Sequence, residues 1–140
     1  MMLHRKSKGF TLIELVLVIA ILGILAVVAL PQFINVSTQA KRAARDGTTG
    51  AVRAGIALFR ANDLVVNGPP GVYPAALDAA NASTTAGPAN LFFVNVLSNG
   101  IADGAWSKDA NGLYVFNDGG ATYTYTYTVL TGAFASPTAP

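Results

Sequence analysis

The segment KGFTLIELVLVIAILGILAVVALPQF, which starts at Lys8, restricts what this chain can fold into more than any other part of it. From Phe10 to Leu30 the chain is apolar over 21 residues, apart from Thr11 and Glu14. A helix rising about 1.5 Å per residue spans a hydrocarbon core of roughly 30 Å with that length. Glu14 is out of place in such a span. A carboxylate at membrane depth costs about 2.5–3.5 kcal/mol on insertion scales and normally has a partner there.

The charges around the span set its direction. His4, Arg5, Lys6 and Lys8 all precede it, and basic residues concentrated on one flank keep that flank in the cytoplasm. Everything after Pro31 is therefore expected outside, in the periplasm or beyond. Without the first nine residues, six basic side chains face seven acidic ones. So near-neutral a remainder argues against nucleic acid as a primary partner. The chain has no cysteine, which removes disulfide frameworks and thiolate metal sites. Its one histidine lies before the span and its one glutamate within it. A nucleophile, a base and an orienting group cannot be assembled from what is left, so the reading is not an enzyme and assigns no catalytic residue and no cofactor.

A cleaved secretory signal competes for this N-terminus, with Val27-Val28-Ala29 as the small residues before a cut. It calls for an apolar stretch of roughly 7–15 residues, shorter than this one, and would not hold Glu14. An exported monomeric binding module with its mature terminus near Leu30 is the corresponding alternative.

GFTLIELVLVIAILGILAVVALP resembles the N-terminal signature of type IV pilins and of the pseudopilins of type II secretion. The resemblance covers residues 1–35 well and the rest weakly. It implies a prepilin leader ending at Gly9, cleavage by a prepilin peptidase after that glycine, N-methylation of the new terminal Phe10, and a span that becomes the core of a filament of identical chains. It also implies a precursor in the bacterial inner membrane, partnered by the pilus or secretion assembly machinery and destined for a surface pilus or a periplasmic pseudopilus. The stretch through PQFINVSTQAKRAARDG looks most like pilins of the mannose-sensitive haemagglutinin type. The paired cysteines of many pilins are missing, which keeps a secretion pseudopilin as the runner-up.

Within this setting Glu14 and Phe10 become assembly residues. Cutting before Phe10 creates a cationic α-amine, which can pair with Glu14 of a neighbour and favour a stagger between subunits, because an unpaired charge in an apolar bundle is penalised. The local alternative is that Glu14 meets the positive end of its own helix. Gly23 and Pro31 are expected to break or loosen the helix, since proline lacks a donor and crowds the carbonyl of Val27.

Beyond Pro31, Phe33, Ser37, Ala40, Ala44, Thr48, Ala51, Gly55 and Leu58 recur at helical spacing and form a small-residue face suited to packing among copies. A second stripe, Arg42, Asp46, Thr49, Arg53 and Arg60, reads as a solvated or inter-subunit charge face. Gly47, Gly50 and Gly55 predict bending or fraying. The expected fold is α+β: a long N-terminal helix, membrane-spanning in its first half and amphipathic in its second, packed against a small C-terminal antiparallel sheet. The divisions are a leader at 1–9, the span at 10–30, its amphipathic continuation at 31–62, loops at 63–90 with one short helix around 75–80, and the sheet region at 91–140. Strands are expected at 91–97, near Trp106, at 113–116 and at 122–130, with turns at Asn99-Gly100, Asp103-Gly104, Asn111-Gly112 and Asp118-Gly119. Tyr123, Tyr125 and Tyr127 should line one face of the last strand as packing residues. Asp103, Asp109, Asn111 and Asp118 offer hard oxygen donors, but their spacing completes no calcium ligand set, so no metal is assigned.

Overall fold

The computed structural model describes residues 9–135; the basic leader as far as Lys8 and the last five residues of the expected sheet region lie outside them. Helix α1 runs from Leu12 to Asn67, 56 residues without interruption. It contributes to two units, one ending at Ser37 and one beginning at Thr38.

In the first unit the apolar side chains have nothing to pack on. The large hydrophobic residues from Phe10 to Val36 are all exposed, and α1 is here long and apolar enough to cross a membrane. Gly23 and Pro31 both lie within α1. The helix break expected at this pair is therefore not a gap in the helix of the single chain. Gly47, Gly50 and Gly55 likewise stay helical rather than frayed.

The helix passes the expected limit at residue 62 and stops at Asn67, where a stop signal first occurs. Gly68 takes φ +83° and its N–H donates to the Leu64 carbonyl at 3.2 Å, the left-handed cap that glycine adopts without a Cβ penalty. Pro69 follows and cannot continue the helix.

In the second unit four strands form an antiparallel meander, in the order β1 (Trp106–Lys108), β2 (Tyr114–Asn117), β3 (Thr122–Thr128) and β4 (Ala133–Ala135). The register pairs aromatic with aromatic. Trp106 faces Phe116, Phe116 faces Tyr123, Tyr114 faces Tyr125, and Tyr127 faces Phe134, the cross-strand pairing that stabilises a sheet face. Val52 and Ile56 of α1 join these rings, with Leu77, Phe92 and Phe93 from the loops, in one core. All four expected turn glycines, Gly100, Gly104, Gly112 and Gly119, have positive φ.

Three sequence expectations are corrected. Residues 91–97 form turns, with only Phe92 bridged to Ile101. A strand would send Phe92 and Phe93 to opposite faces, yet both are fully buried in one core. Phe93 instead adopts φ +61°, and its N–H donates to the Asp78 carboxylate at 3.0 Å. Residues 75–80 are not helical, because the carbonyls that a helix would use are taken. Asn95 donates its side-chain amide to Ala76 O and its backbone N–H to Leu77 O, and Ala80 N–H turns to Asp78 Oδ1.

The third correction concerns the charged stripe of α1, which is solvated only in part: Arg42, Asp46 and Arg53 are exposed, whereas Thr49 is buried and Arg60 half-buried. The Arg45 guanidinium lies 4.1 Å from the Tyr123 ring centroid. Arg53 Nε donates to Phe134 O at 3.1 Å, and Arg60 donates to the Tyr73 hydroxyl at 2.6 Å. Planar guanidinium groups on aliphatic stems can cover aromatic surface in this way. Asp46 stays exposed and pairs with Arg45 at 2.7 Å. The small-residue face is largely uncovered, with Phe33, Ser37, Ala40, Ala44, Ala51 and Leu58 exposed and Thr48 and Gly55 half-buried.

Two buried carboxylates fasten this unit. Asp78 accepts hydrogen bonds from Phe93 N–H, Ala80 N–H, the Tyr114 hydroxyl and Lys108 Nζ. That full set of donors offsets the cost of burying an ion pair. It also pushes the Tyr114 hydroxyl up, chiefly through burial and then through its bond to Asp78. Asp118 accepts from Arg42 Nε at 2.7 Å, Gly120 N–H at 2.8 Å and Ala121 N–H at 2.6 Å. It so joins α1 to the β2–β3 turn.

Gly47 and Gly55 should respond oppositely to alanine. A Cβ at Gly47 meets nothing within 4 Å, whereas one at Gly55 runs into the Val96 carbonyl oxygen. In urea titrations of the detergent-solubilised chain, Gly47→Ala should gain up to about 1 kcal/mol from helix propensity, and Gly55→Ala should lose stability.

Acid should loosen the second unit through Asp118. The Arg42 bond, then the Ala121 and Gly120 N–H groups, hold its carboxyl far below the usual carboxylate range. The stabilisation is complete above the unfolded-state value of about 3.9 and is lost as pH falls below it. Asp118→Asn should flatten the acid limb of the stability–pH curve, as followed by near-ultraviolet circular dichroism.

Candidate functional site: the N-terminal assembly segment

Gly9, Phe10 and Thr11 precede the first helical residue, and the Gly9–Phe10 peptide lies in exposed, non-helical backbone. Phe10 is 89% exposed. The order of residues explains the boundary. Thr11 caps the helix, and its hydroxyl oxygen accepts the Glu14 N–H at 3.3 Å. Glu14, three positions on, returns its carboxylate to the Thr11 N–H at 2.8 Å and to the Thr11 hydroxyl at 2.8 Å. This reciprocal pair is a capping box and satisfies two donors that a helix start leaves open.

The local alternative for Glu14 is thus present in the chain, in a form more specific than a dipole effect. Thr11 is a functional residue of this segment that the span alone does not single out. Its signal was legible as Thr-x-x-Glu immediately before an apolar run. Both Thr11 bonds fall on Oε2, and Oε1 makes no hydrogen bond among the described residues. The carboxylate therefore keeps one oxygen for a donor from elsewhere while it holds its own helix end.

Gly23 and Pro31 lie nine and seventeen residues beyond Glu14 on the same helix. Nothing comes within 4 Å of a Cβ placed at Gly23. Pro31 offers no N–H to the Val27 carbonyl, so α1 carries one missing backbone bond there.

The other candidates resolve into structural duties. Asp103 Oδ1 accepts Ala105 N–H, Asp109 Oδ1 accepts the Asn111 and Leu113 N–H groups, and Asp118 is the clip to Arg42. Among the described residues no three His, Cys, Asp or Glu side chains stand together as a metal ligand set. Tyr123 and Tyr125 are buried in the core, and the Tyr127 hydroxyl donates to Pro74 O at 2.7 Å. A groove of about 460 Å³ between α1 and residues 94–98 is lined by Gly55, Leu58, Phe59, Asn62, Val94, Asn95, Val96, Leu97 and Ser98. None of these groups titrates near neutral pH.

Residues 4–30 match the prokaryotic N-terminal methylation motif. The chain is similar to the fimbrial protein EcpC of Eikenella corrodens, with 30% identity over 131 residues that cover 84% of this chain and 81% of that protein. It is 49% identical to the type IV narrow pilus major component PilA5 of Thermus thermophilus over 53 residues, 38% of this chain and 46% of that one. It is 39% identical to the type II secretion system core protein G of Pseudomonas aeruginosa over 59 residues, 42% of each chain. The chain thus spans less than half the length of these last two relatives. No solved structure matches it. With an exposed apolar helix behind a Thr11–Glu14 cap, a small antiparallel sheet on the same helix, and a fimbrial relative matched over most of both chains, the chain belongs to the type IV pilin and pseudopilin family.

Proposed function

We propose that this chain is the structural subunit of a type IV pilus fibre, made as a membrane precursor, cut after Gly9 by a prepilin peptidase, N-methylated at Phe10 and polymerised through α1. The observation that carries the proposal is Glu14: a carboxylate in an uncovered apolar helix, with Oε2 committed to Thr11 and Oε1 without a partner among the described residues. Cleavage before Phe10 supplies the missing donor, the α-amine of a second copy. A paired charge in a dry bundle is tolerated and an unpaired one is penalised, so the pair selects one stagger among the many that an apolar helix surface would allow.

Other features fit the same account. The basic leader keeps the N-terminus in the cytoplasm until it is cleaved, while residues after Pro31 stand outside the inner membrane. The uncovered faces of α1 suit burial among copies. Gly23 and Pro31 mark the turns where α1 gives up helix most cheaply once neighbours supply the contacts. The role is mechanical rather than catalytic. A periplasmic pseudopilus is the second reading, supported by the likeness to a type II secretion core protein and by the absence of a cysteine-closed loop.

Glu14→Gln separates the two duties of Glu14, because glutamine keeps an oxygen for Thr11 and loses the charge. We expect the variant to be cut and methylated normally but to give at least about tenfold fewer sheared filaments, the factor that 1.4 kcal/mol corresponds to. Thr11→Ala, which removes the cap and keeps the charge, should assemble close to normally. Normal filament yield from Glu14→Gln would overturn the charge-pairing account.

A further inference from the structure

Asp78 and Lys108 meet inside the second unit in an arrangement more specific than an ion pair requires. The Asp78 side chain is fully buried and that of Lys108 is 9% exposed. Lys108 Nζ donates to Asp78 Oδ1 and, at 2.8 Å, to Ala80 O. It lies 4.8 Å from the Tyr114 ring centroid and 5.6 Å from that of Phe92. The two carboxylate oxygens have different partners. Oδ2 accepts the Phe93 N–H at 3.0 Å and the Tyr114 hydroxyl at 2.8 Å. Oδ1 accepts the Ala80 N–H at 3.0 Å besides Lys108 Nζ. Two fixed donors on one oxygen are what stabilises negative charge on a carbonyl oxygen under attack. An amine hydrogen-bonded to the other oxygen stands about 3–3.5 Å from the carboxyl carbon, which is near-attack range.

We propose that this pair condenses, Lys108 Nζ forming an amide with Asp78 Cγ and releasing one water. The atoms balance within the pair, and no co-reactant is needed. One ammonium proton passes along the hydrogen bond to Oδ1, leaving a neutral amine beside a carboxylic acid. The Nζ lone pair then forms the bond to Cγ while the C=O π pair moves onto Oδ2, where the Phe93 N–H and the Tyr114 hydroxyl hold the developing charge. A second Nζ proton passes to Oδ1, the Cγ–Oδ1 bond breaks, and the carbonyl re-forms as water leaves. Burial, and then the bond to Asp78, push the Tyr114 hydroxyl up, so it remains a donor throughout. A cavity of about 310 Å³, lined in part by Asp78, Lys108 and Tyr114, gives the released water an exit. The remaining Nζ–H of the amide can keep its bond to Ala80 O.

The driving force is the removal of two buried charges, each costly to keep away from water, in partners that the fold already holds together. The link would tie the loop at Asp78 to β1 across 30 positions of sequence. It would restrict the unfolded chain as a disulfide does, in a chain that has no cysteine to make one. The step takes place within one chain and does not depend on how the chain assembles.

Lys108 is the one trypsin site beyond Arg60, so the link can be read directly. The full-length chain would be purified in detergent, shown to be folded by near-ultraviolet circular dichroism, then denatured, digested with trypsin and examined by mass spectrometry. We expect residues 61–140 as one uncut peptide, lighter than its sequence by one water, because trypsin does not cut after an acylated lysine. Fragment spectra should place the link between Asp78 and Lys108. Lys108→Arg keeps the cation but has no amine to acylate, and it should give peptides 61–108 and 109–140 at full mass. In pulse-labelled cells Tyr114→Phe should slow the appearance of the linked form by about a hundredfold, the effect of losing one such donor. Peptides 61–108 and 109–140 at full mass from the folded native chain would overturn the proposal, and so would an uncut 61–140 that has lost no water. A linked form that appears as fast in Tyr114→Phe would overturn the mechanism given for it.

Discussion

The constraint on which everything else depends is the uncovered apolar surface of α1. From Phe10 to Val36 no large apolar side chain is buried by the chain's own structure. Each such side chain is worth about 1.5–3 kcal/mol when withdrawn from water. The sheet is small, and its core is already filled by Val52, Ile56 and the aromatic residues. The first unit therefore needs lipid before assembly and other copies after it. That demand fits one membrane helix serving two environments in turn, and in the filament proposed above Glu14, the one carboxylate of an otherwise apolar surface, distinguishes one register from the next.

The second unit shows how a short chain holds a small sheet on a helix without a disulfide. Asp78 and Asp118 are both buried and both gather backbone donors as well as a cation. Each ties together segments far apart in sequence, residue 78 to residues 93, 108 and 114, and residue 118 to residue 42. Hydrogen-bonded ion pairs and an interlocked aromatic core carry the load in a chain that has no cysteine.

Much of this was legible in the sequence, and the misreadings have specific physical causes. The span, the anomaly of Glu14, the four glycine turns, the tyrosine face of β3 and the α+β layout all follow from local patterns. Thr11 is as readable as Glu14, since Thr-x-x-Glu before an apolar run marks the capping box that the two residues form. LFFVNVL reads as a strand because a short apolar run has no period to contradict it. Its fate is set by Asp78, a residue with no local mark of importance. The charged stripe of α1 reads as a solvated or inter-subunit face because periodicity shows which residues share a face and not what covers that face. Tyr73 and the Phe134 carbonyl, which receive Arg60 and Arg53, lie 13 and 81 residues away. The lone large residues Val52 and Ile56, set among alanines and glycines, form the true contact stripe of the helix.

The most direct test of the account is mass spectrometry of the N-terminal peptide, comparing filaments sheared from the cell surface with the washed envelope. An abundant N-methylated peptide that begins at Phe10 in the sheared fraction is the result expected of a pilus subunit. The same peptide confined to the envelope would contradict the surface fibre in favour of a pseudopilus. A mature terminus near Leu30 in either fraction would remove the span, and with it the filament altogether.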